Sequence, residues 1–341
     1  MISHAYPDGQ IADKTIADLK RMKKEGKPFF LACGFIKPHL PFYAPKKYWD
    51  LYDSDSLELA PNRKLPRNAP SLLKGSDEVH SYHDRGMKYN SDEWHRACRH
   101  GYYACVSYVD AQVGRLLKTL DDLNLRKNTI VVLWGDHGWH LGEMGIWGKA
   151  TNYEIATRVP LIFWTPKMKK RGKGSHALVE LVDLYPTLCD LAGLSRPMHL
   201  AGKSLLPLLE NPDVKGKQYA VSQFPNPALR EWAANPLSLG MRKTFFGPLI
   251  EEVENRIKQQ QGKGWNRDLF ENHLMGYTLR SDLYRLIAWL DYRDVNSEPL
   301  FLELYDHKKD PQETRNLAGE FPAKVKELLK KLRMSGIGKR G

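Results

Sequence analysis

Cysteine is scarce in this chain, at four in 341 residues. The four stand at Cys33, Cys98, Cys105 and Cys189, and none forms the close pair typical of a zinc site. If Cys98 and Cys105 share a helix they lie roughly 10 Å apart along its axis, too far for a disulfide. The redox compartment stays open. Long apolar runs are missing too, and no stretch approaches the ~20 residues that span a bilayer. The opening residues, Met1-Ile2-Ser3-His4, read as the inside of a fold rather than as a signal segment. There are no internal repeats. Helix-turn-helix, zinc-finger and base-stacking patterns are absent, which excludes nucleic acid as the expected partner. Acidic residues are the minority, 40 against 52 Lys and Arg, for a formal net charge of +12 that suits an anionic partner. The basic residues cluster at Lys20-Arg21 with Lys23-Lys24, and at Lys167, Lys169, Lys170, Arg171 and Lys173. Each cluster reads as solvated surface or as an attractor for a sulfated or carboxylated polymer.

What is present is an ordinary globular composition, 42% hydrophobic and 27% charged, in a chain long enough for a large domain and a smaller one. The stretch Thr129 to Lys149 organises the reading. Ile130-Val131-Val132-Leu133-Trp134 is short, apolar and β-branched, as expected of a strand buried on both faces. It breaks at Gly135-Asp136-His137-Gly138, and a glycine-rich loop then runs to Trp147-Gly148-Lys149. In open α/β sheets chemistry collects at the carboxyl ends of strands. Asp136 offers a hard cation an oxygen, His137 offers a neutral imidazole, and Lys149 offers an anion a point charge. A second strand, expected over Phe29 to Phe35, also ends in a polar loop, Lys37-Pro38-His39-Leu40-Pro41-Phe42, which makes His39 a further site candidate.

The remaining elements follow from periodicity. Asp8 reads as the cap of a first helix with Ile11, Ile16, Leu19 and Met22 near one face, stopped by Gly26 and Pro28. Residues 43–92 are irregular, as lids and pocket walls are. His80, His83, His95 and His100 match no compact metal motif and read as surface or pocket-wall residues. A long helix over Glu93 to Leu123 carries the stripe Val106, Val109, Val113, Leu116, Leu117 and Leu120. The acidic pair Asp121-Asp122 near its end reads as solvent-exposed. Val159 to Trp164 is a strand, and Asp183-Leu184-Tyr185-Pro186 opens a helix that ends at Gly193. After about Pro212 come alternating strands at Tyr219–Phe224, Met275–Arg280, Tyr284–Leu290 and Leu300–Tyr305, a polar insertion over Phe246–His273, and an amphipathic helix from Pro322 to Leu332. This divides the chain into a larger part, 1–212, and a small antiparallel subdomain, 213–341.

Together, Gly135-Asp136-His137-Gly138-Trp139-His140-Leu141-Gly142-Glu143, Trp147-Gly148-Lys149, Val159-Pro160-Leu161-Ile162 and Asp183-Leu184-Tyr185-Pro186-Thr187-Leu188 resemble the sulfatase family. The similarity is closest to its iduronate-2-sulfatase branch. The resemblance implies an α/β fold of the alkaline-phosphatase type, a mixed sheet flanked by helices, followed by a small C-terminal antiparallel subdomain. It implies hydrolysis of sulfate esters of glycans or polysaccharides, with one divalent cation, Ca2+, and a formylglycine nucleophile. Carried over by motif, Asp136 and His137 are metal ligands, while Lys149 and His39 bind the sulfate and act in catalysis.

Two departures qualify that expectation. The family carries an aspartate pair and a Cys/Ser-x-Pro-x-Arg motif upstream of everything matched here, and neither occurs in these residues; Ser195-Arg196-Pro197 does not complete the motif. Met144 stands where many relatives have histidine. The expectation is therefore a C-terminal portion of a sulfatase, the full-length protein being periplasmic or secreted. Two alternatives stay open, a phosphodiester or phosphonate ester hydrolase of the same superfamily and a non-catalytic glycan-binding remnant. Oligomeric state is open as well.

Overall fold

A computed structural model describes residues 5–70, 79, 82, 86–225, 251, 255, 258, 259, 262–264 and 266–338. His80, His83 and 13 of the 28 residues of the expected insertion over 246–273 lie outside the described residues. The chain forms two compact units, one of residues 1–61, 78–132 and 162–168, the other of 62–77, 133–161 and 169–341. The boundary expected at 212 falls inside the second unit. Among the described residues no helix is long and apolar enough to cross a membrane.

In the first unit, helix α1 (Pro7–Glu25) ends where Gly26 turns left-handed at φ 67° and returns its N–H to the Met22 carbonyl. Its buried face is Asp8, Gly9, Ala12, Thr15 and Leu19, so the apolar face expected from Ile11, Ile16 and Met22 is displaced. The reason lies in its neighbour, α3 (Asp92–Asp122), against which small residues permit close approach. The Ser91 hydroxyl caps α3 by accepting the Trp94 N–H at 3.2 Å. Its buried positions include Gly101, Ala104, Cys105, Tyr108, Gln112 and Leu120, whereas Val106 of the expected stripe is 41% exposed. Short helix α2 (Lys46–Trp49) brings Tyr48 onto Ala104, Cys105 and Tyr108 and selects that face. Burial pushes the thiols of Cys98 and Cys105 up to about 12, so both are inert, and all four cysteines are free. Asp121 and Asp122 are solvent-facing ion-pair partners of Arg126 and Lys118.

Strand β1 (Val131–Trp134) pairs with β4 (Leu161–Trp164). Neither is buried on both faces: Trp134 is 49% and Ile162 59% exposed. The expected strand at Phe29–Phe35 takes no ladder partner among the described residues, and Phe30 is 81% exposed. A strand is defined by its neighbours, which a local apolar pattern does not supply.

The second unit is built on a four-stranded antiparallel sheet in the order β5 (Tyr219–Pro225), β6 (Leu274–Ser281), β7 (Tyr284–Asp291) and β8 (Phe301–Asp306). Side chains alternate along the inner strands, so each strand serves two cores. One set, Met275, Tyr277, Leu279, Leu286, Ala288, Leu290 and Leu304, packs with Val325, Leu328, Leu329 and Leu332 of the last helix, α7 (Pro322–Met334). The other set, Leu274, Ile287, Trp289 and Tyr305, packs with Met144, Ile146 and Tyr153. The C-terminal sheet is thus the floor beneath the glycine-rich loop. Helices α4 (Glu154–Thr157), α5 (Leu184–Ala192) and α6 (Leu206–Glu210) complete the unit, α5 ending at a left-handed Gly193 as expected.

Candidate active site

The loop after β1 is stitched down by its own backbone. Gly135 N–H donates to the Pro160 carbonyl at 3.1 Å and Gly138 N–H to the Ala156 carbonyl at 2.8 Å. At Gly138 a Cβ would overlap the Ile155 carbonyl oxygen, so only glycine fits. Gly138→Ala is expected to destabilise the protein by about 1–3 kcal/mol or more, as overpacking does, and to displace the loop. Urea unfolding checks this, and an unchanged midpoint would remove the close-approach explanation.

Between those glycines stand Asp136 and His137. His137 Nδ1 is 2.9 Å from the Gly138 carbonyl, which only accepts, so the proton sits on Nδ1 and the lone pair on Nε2. That Nε2 is 3.5 Å from Asp136 Oδ2, and the Asp136 side chain is 83% exposed. The two side chains are neighbours in the chain, Asp136 Oδ1 accepting the His137 N–H at 3.0 Å, and the backbone carbonyl on Nδ1 is the usual outer support of a metal-bound imidazole. The pair fits two positions of a divalent shell. Among the described residues no third His, Cys, Asp or Glu joins them. The three donors that do lie within 4.8 Å of one another are Glu154, His307 and Glu313. There Arg285 already supplies the cation, bonded to Glu313 at 2.6 Å and to Glu154, with His307 Nε2 2.8 Å from Glu313. A metal would meet the guanidinium.

Downstream, β2 (His140–Leu141) and β3 (Trp147–Gly148) form a short antiparallel ladder, with Gly142 and Gly145 turning the chain at φ 103° and 71°. Met144 lies between them in the left-handed region at φ 59° and is 4% exposed, part of the core over the C-terminal sheet. Position 144 is a packing position here. Lys149 leaves β3 with Nζ 5.5 Å from the centre of the Trp139 ring.

Beyond Ala150, each of the four residues 151–154 is anchored. Thr151 Oγ1 meets His140 Nε2 at 2.8 Å. Asn152 Nδ2 donates to the Phe224 carbonyl at 3.2 Å and its Oδ1 accepts from the Thr278 hydroxyl at 3.1 Å. The Tyr153 hydroxyl donates to buried Glu303 at 2.8 Å, and Glu154 N–H donates to Glu313 Oε2 at 2.8 Å. Sequence reasoning passed over this run. Its one local signal was four polar or aromatic residues, Thr151-Asn152-Tyr153-Glu154, separated from the lysine only by Ala150.

His39 sits in the other unit, in the loop 37–43, with Nδ1 2.8 Å from the Leu40 carbonyl. Lys37 lies inside the same loop, donating to the carbonyls of His39 at 2.8 Å and Pro41 at 2.6 Å, and burial lowers its pKa. Asp8 is not a helix cap. It is 1% exposed in the first turn of α1, where it accepts the N–H groups of Ile36 at 2.8 Å and Lys37 at 2.9 Å. Asp8→Ala strands two amides and is expected to cost about 1–3 kcal/mol. The check is the urea midpoint together with faster amide exchange at Ile36 and Lys37; unchanged exchange would contradict it. His95 and His100 bond to Asn90 and to the Trp49 carbonyl and are structural.

The sulfatase family profile matches residues 3–194, more than half of the chain. This chain belongs to the sulfatase family. It is 31% identical to the iduronate 2-sulfatase of Homo sapiens, over 91% of this chain and 62% of that protein. It is 34% identical to the N-acetylglucosamine-6-O-sulfatase of Bacteroides thetaiotaomicron, over 68% of this chain and 34% of that one. Among solved structures, the phosphonate monoester hydrolase from Silicibacter pomeroyi superposes with TM-score 0.73 at 23% identity, covering 98% of this chain and 61% of that one. A structure in complex with its substrate D-glucosamine-2-N,6-O-disulfate gives 0.71 at 22%, covering 98% and 70%. The fold is therefore the alkaline-phosphatase type, with its C-terminal antiparallel sheet. The sulfatase spans about three fifths of the length of the iduronate 2-sulfatases it matches.

Proposed function

We propose that this sulfatase chain serves the hydrolysis of sulfate esters on glycans, in an exported protein, with Ca2+ held in part by Asp136 and His137. The observation that carries the reading is one loop presenting convergent Asp136 and His137 acceptors and then Lys149 on a hairpin clamped to the sheet below. A bound divalent cation would supply positive charge to the sulfate oxygens. Lys149 grips those oxygens as a compact ammonium. The role that the family resemblance gives His39 is to donate a proton to the leaving oxygen. No nucleophilic step is assigned, because the Cys/Ser-x-Pro-x-Arg motif that yields formylglycine does not occur in these 341 residues. The names of the curated relatives, iduronate 2-sulfatase and N-acetylglucosamine-6-O-sulfatase, support a sulfated sugar as substrate.

The test pairs calorimetric Ca2+ titration with assays on an aryl sulfate and an aryl phosphonate monoester. Expected are Ca2+ binding that weakens at least tenfold in Asp136→Asn and His137→Ala, and turnover that prefers the sulfate. Preference for the phosphonate would transfer the reading to a phosphonate ester hydrolase, the activity named for one structural neighbour. Retention of sulfated oligosaccharide without turnover, from the longest product of the gene, would favour a glycan-binding remnant.

A further inference from the structure

His140 has no place in the chemistry above, yet it is fully buried within the same loop. Its backbone lies opposite Gly148 in the β2–β3 ladder. Its ring reaches past Lys149 to the residues beyond: Nε2 is 2.8 Å from Thr151 Oγ1, and Thr151 N–H donates to the Lys149 carbonyl at 2.8 Å. One residue therefore grips the chain on both sides of Lys149, at Gly148 through the ladder and at Thr151 through its side chain. The ring's other nitrogen, Nδ1, faces the Glu143 carbonyl at 3.3 Å. A carbonyl only accepts, so Nδ1 carries the proton and Nε2 accepts the Thr151 hydroxyl. Burial pushes the imidazole down to about 4, so it is neutral at physiological pH. An uncharged brace holds the lysine turn without placing a second cation beside it. Arginine or lysine at position 140 would add such a charge, and leucine would leave the Thr151 hydroxyl unpaired inside the protein. The ring edge also meets Tyr153, with centroids 6.4 Å apart, which ties the brace to the layer resting on the C-terminal sheet.

We infer that His140 is a positioning residue for Lys149, acting through its bond to Thr151. The inference rests on the reading of Lys149 as the residue that grips the sulfate oxygens.

The test reads Lys149 in the full chain by the rate of its modification with a lysine-selective acylating reagent, followed by mass spectrometry, with and without inorganic sulfate as the probe. Lys217 of the same unit, bonded to Asp183 at 2.8 Å and to Glu180, is the internal control. In the wild type, sulfate is expected to slow acylation of Lys149. His140→Ala and Thr151→Val are expected to change the sulfate-free rate at Lys149 and to weaken sulfate protection, each by about tenfold, the equivalent of one hydrogen bond. His140→Gln, whose amide reaches the Thr151 hydroxyl, and Thr151→Ser are expected to stay within about threefold of wild type. Lys217 is expected to be unchanged throughout. Wild-type behaviour at Lys149 in both His140→Ala and Thr151→Val overturns the positioning role, and so does a parallel rise at Lys217, which marks general loosening. If sulfate fails to protect wild-type Lys149 while its rate still follows the variants, the positioning role stands and the sulfate-binding reading of Lys149 falls. Thr151→Val keeps the question answerable should His140→Ala not fold.

Discussion

Replacement of Lys149 by alanine in the longest product of the gene is expected to lower kcat/KM for an aryl sulfate by about 10²–10³, the range seen when one preorganised donor to a developing anion is removed. A sulfate monoester holds negative charge on the sulfuryl oxygens throughout cleavage, so a fixed ammonium contributes in the transition state. The Trp139 ring, itself buried, lies 5.5 Å from Nζ, and such a contact is worth about 0.5–2 kcal/mol, less than the loss expected on removing the ammonium. Lys149→Arg is expected to recover little, because a planar fork is not a point charge on a flexible stem. The melting temperature is expected to fall by only a few degrees, because Lys149 is half-buried but lies outside the hydrophobic clusters on either face of the C-terminal sheet. Turnover within threefold of wild type would remove Lys149 from the site.

Replacement of Arg285 by methionine is expected to cost about 3–5 kcal/mol of stability at pH 7, because it leaves buried carboxylates without their cation. The Arg285 and Glu313 side chains are 1% and 2% exposed, so solvent screens their pairing little. Arg285 Nη1 also donates to the Asn152 carbonyl at 3.1 Å, and a second nitrogen bonds Glu154. Its loss therefore loosens the same run that follows Lys149. Burial alone would raise the pKa of Glu313, yet Arg285 and His307 together hold it below its ordinary value of 4.5. The same opposition, with Arg285 and Arg280 as the main cations, keeps Glu154 low. Carboxyls with depressed folded pKa values stabilise the protein above about 4.5 and lose that contribution as pH falls through the folded value. The gap between Arg285→Met and wild type is thus expected to be full at pH 7 and to shrink below pH 4.5. Urea midpoints measured from pH 7 downward check this, and a gap independent of pH would refute it.

Much of this was legible along the chain. The four C-terminal strands and the last helix appeared where alternation and helical spacing placed them, because their patterns are strong and each has local partners in sequence. Gly26 and Gly193 ended helices as expected, since only a residue without Cβ turns left-handed there at low cost. The candidate loop was readable from Gly135 to Lys149 because its glycines, donors and charge lie within a few residues of one another. Other features were not readable. Asp8 looked like a cap and is a clamp for residues 28 and 29 positions away. Ile11, Val106 and Met144 each took an environment that local periodicity did not indicate, because the packing neighbour, not the period, selects the face that is buried.

Residue order alone was enough for the sulfatase motif, for the adjacency of Asp136 and His137, and for the element types other than the strand expected at Phe29–Phe35. The folded chain was needed to reveal that the lysine turn is braced by His140 from within and by the C-terminal sheet from below. Those contacts join residues as much as 159 positions apart, Glu154 to Glu313 among them. Such partners meet only when burial makes an unsatisfied amide or carboxylate too costly to leave alone, and no local pattern carries that information.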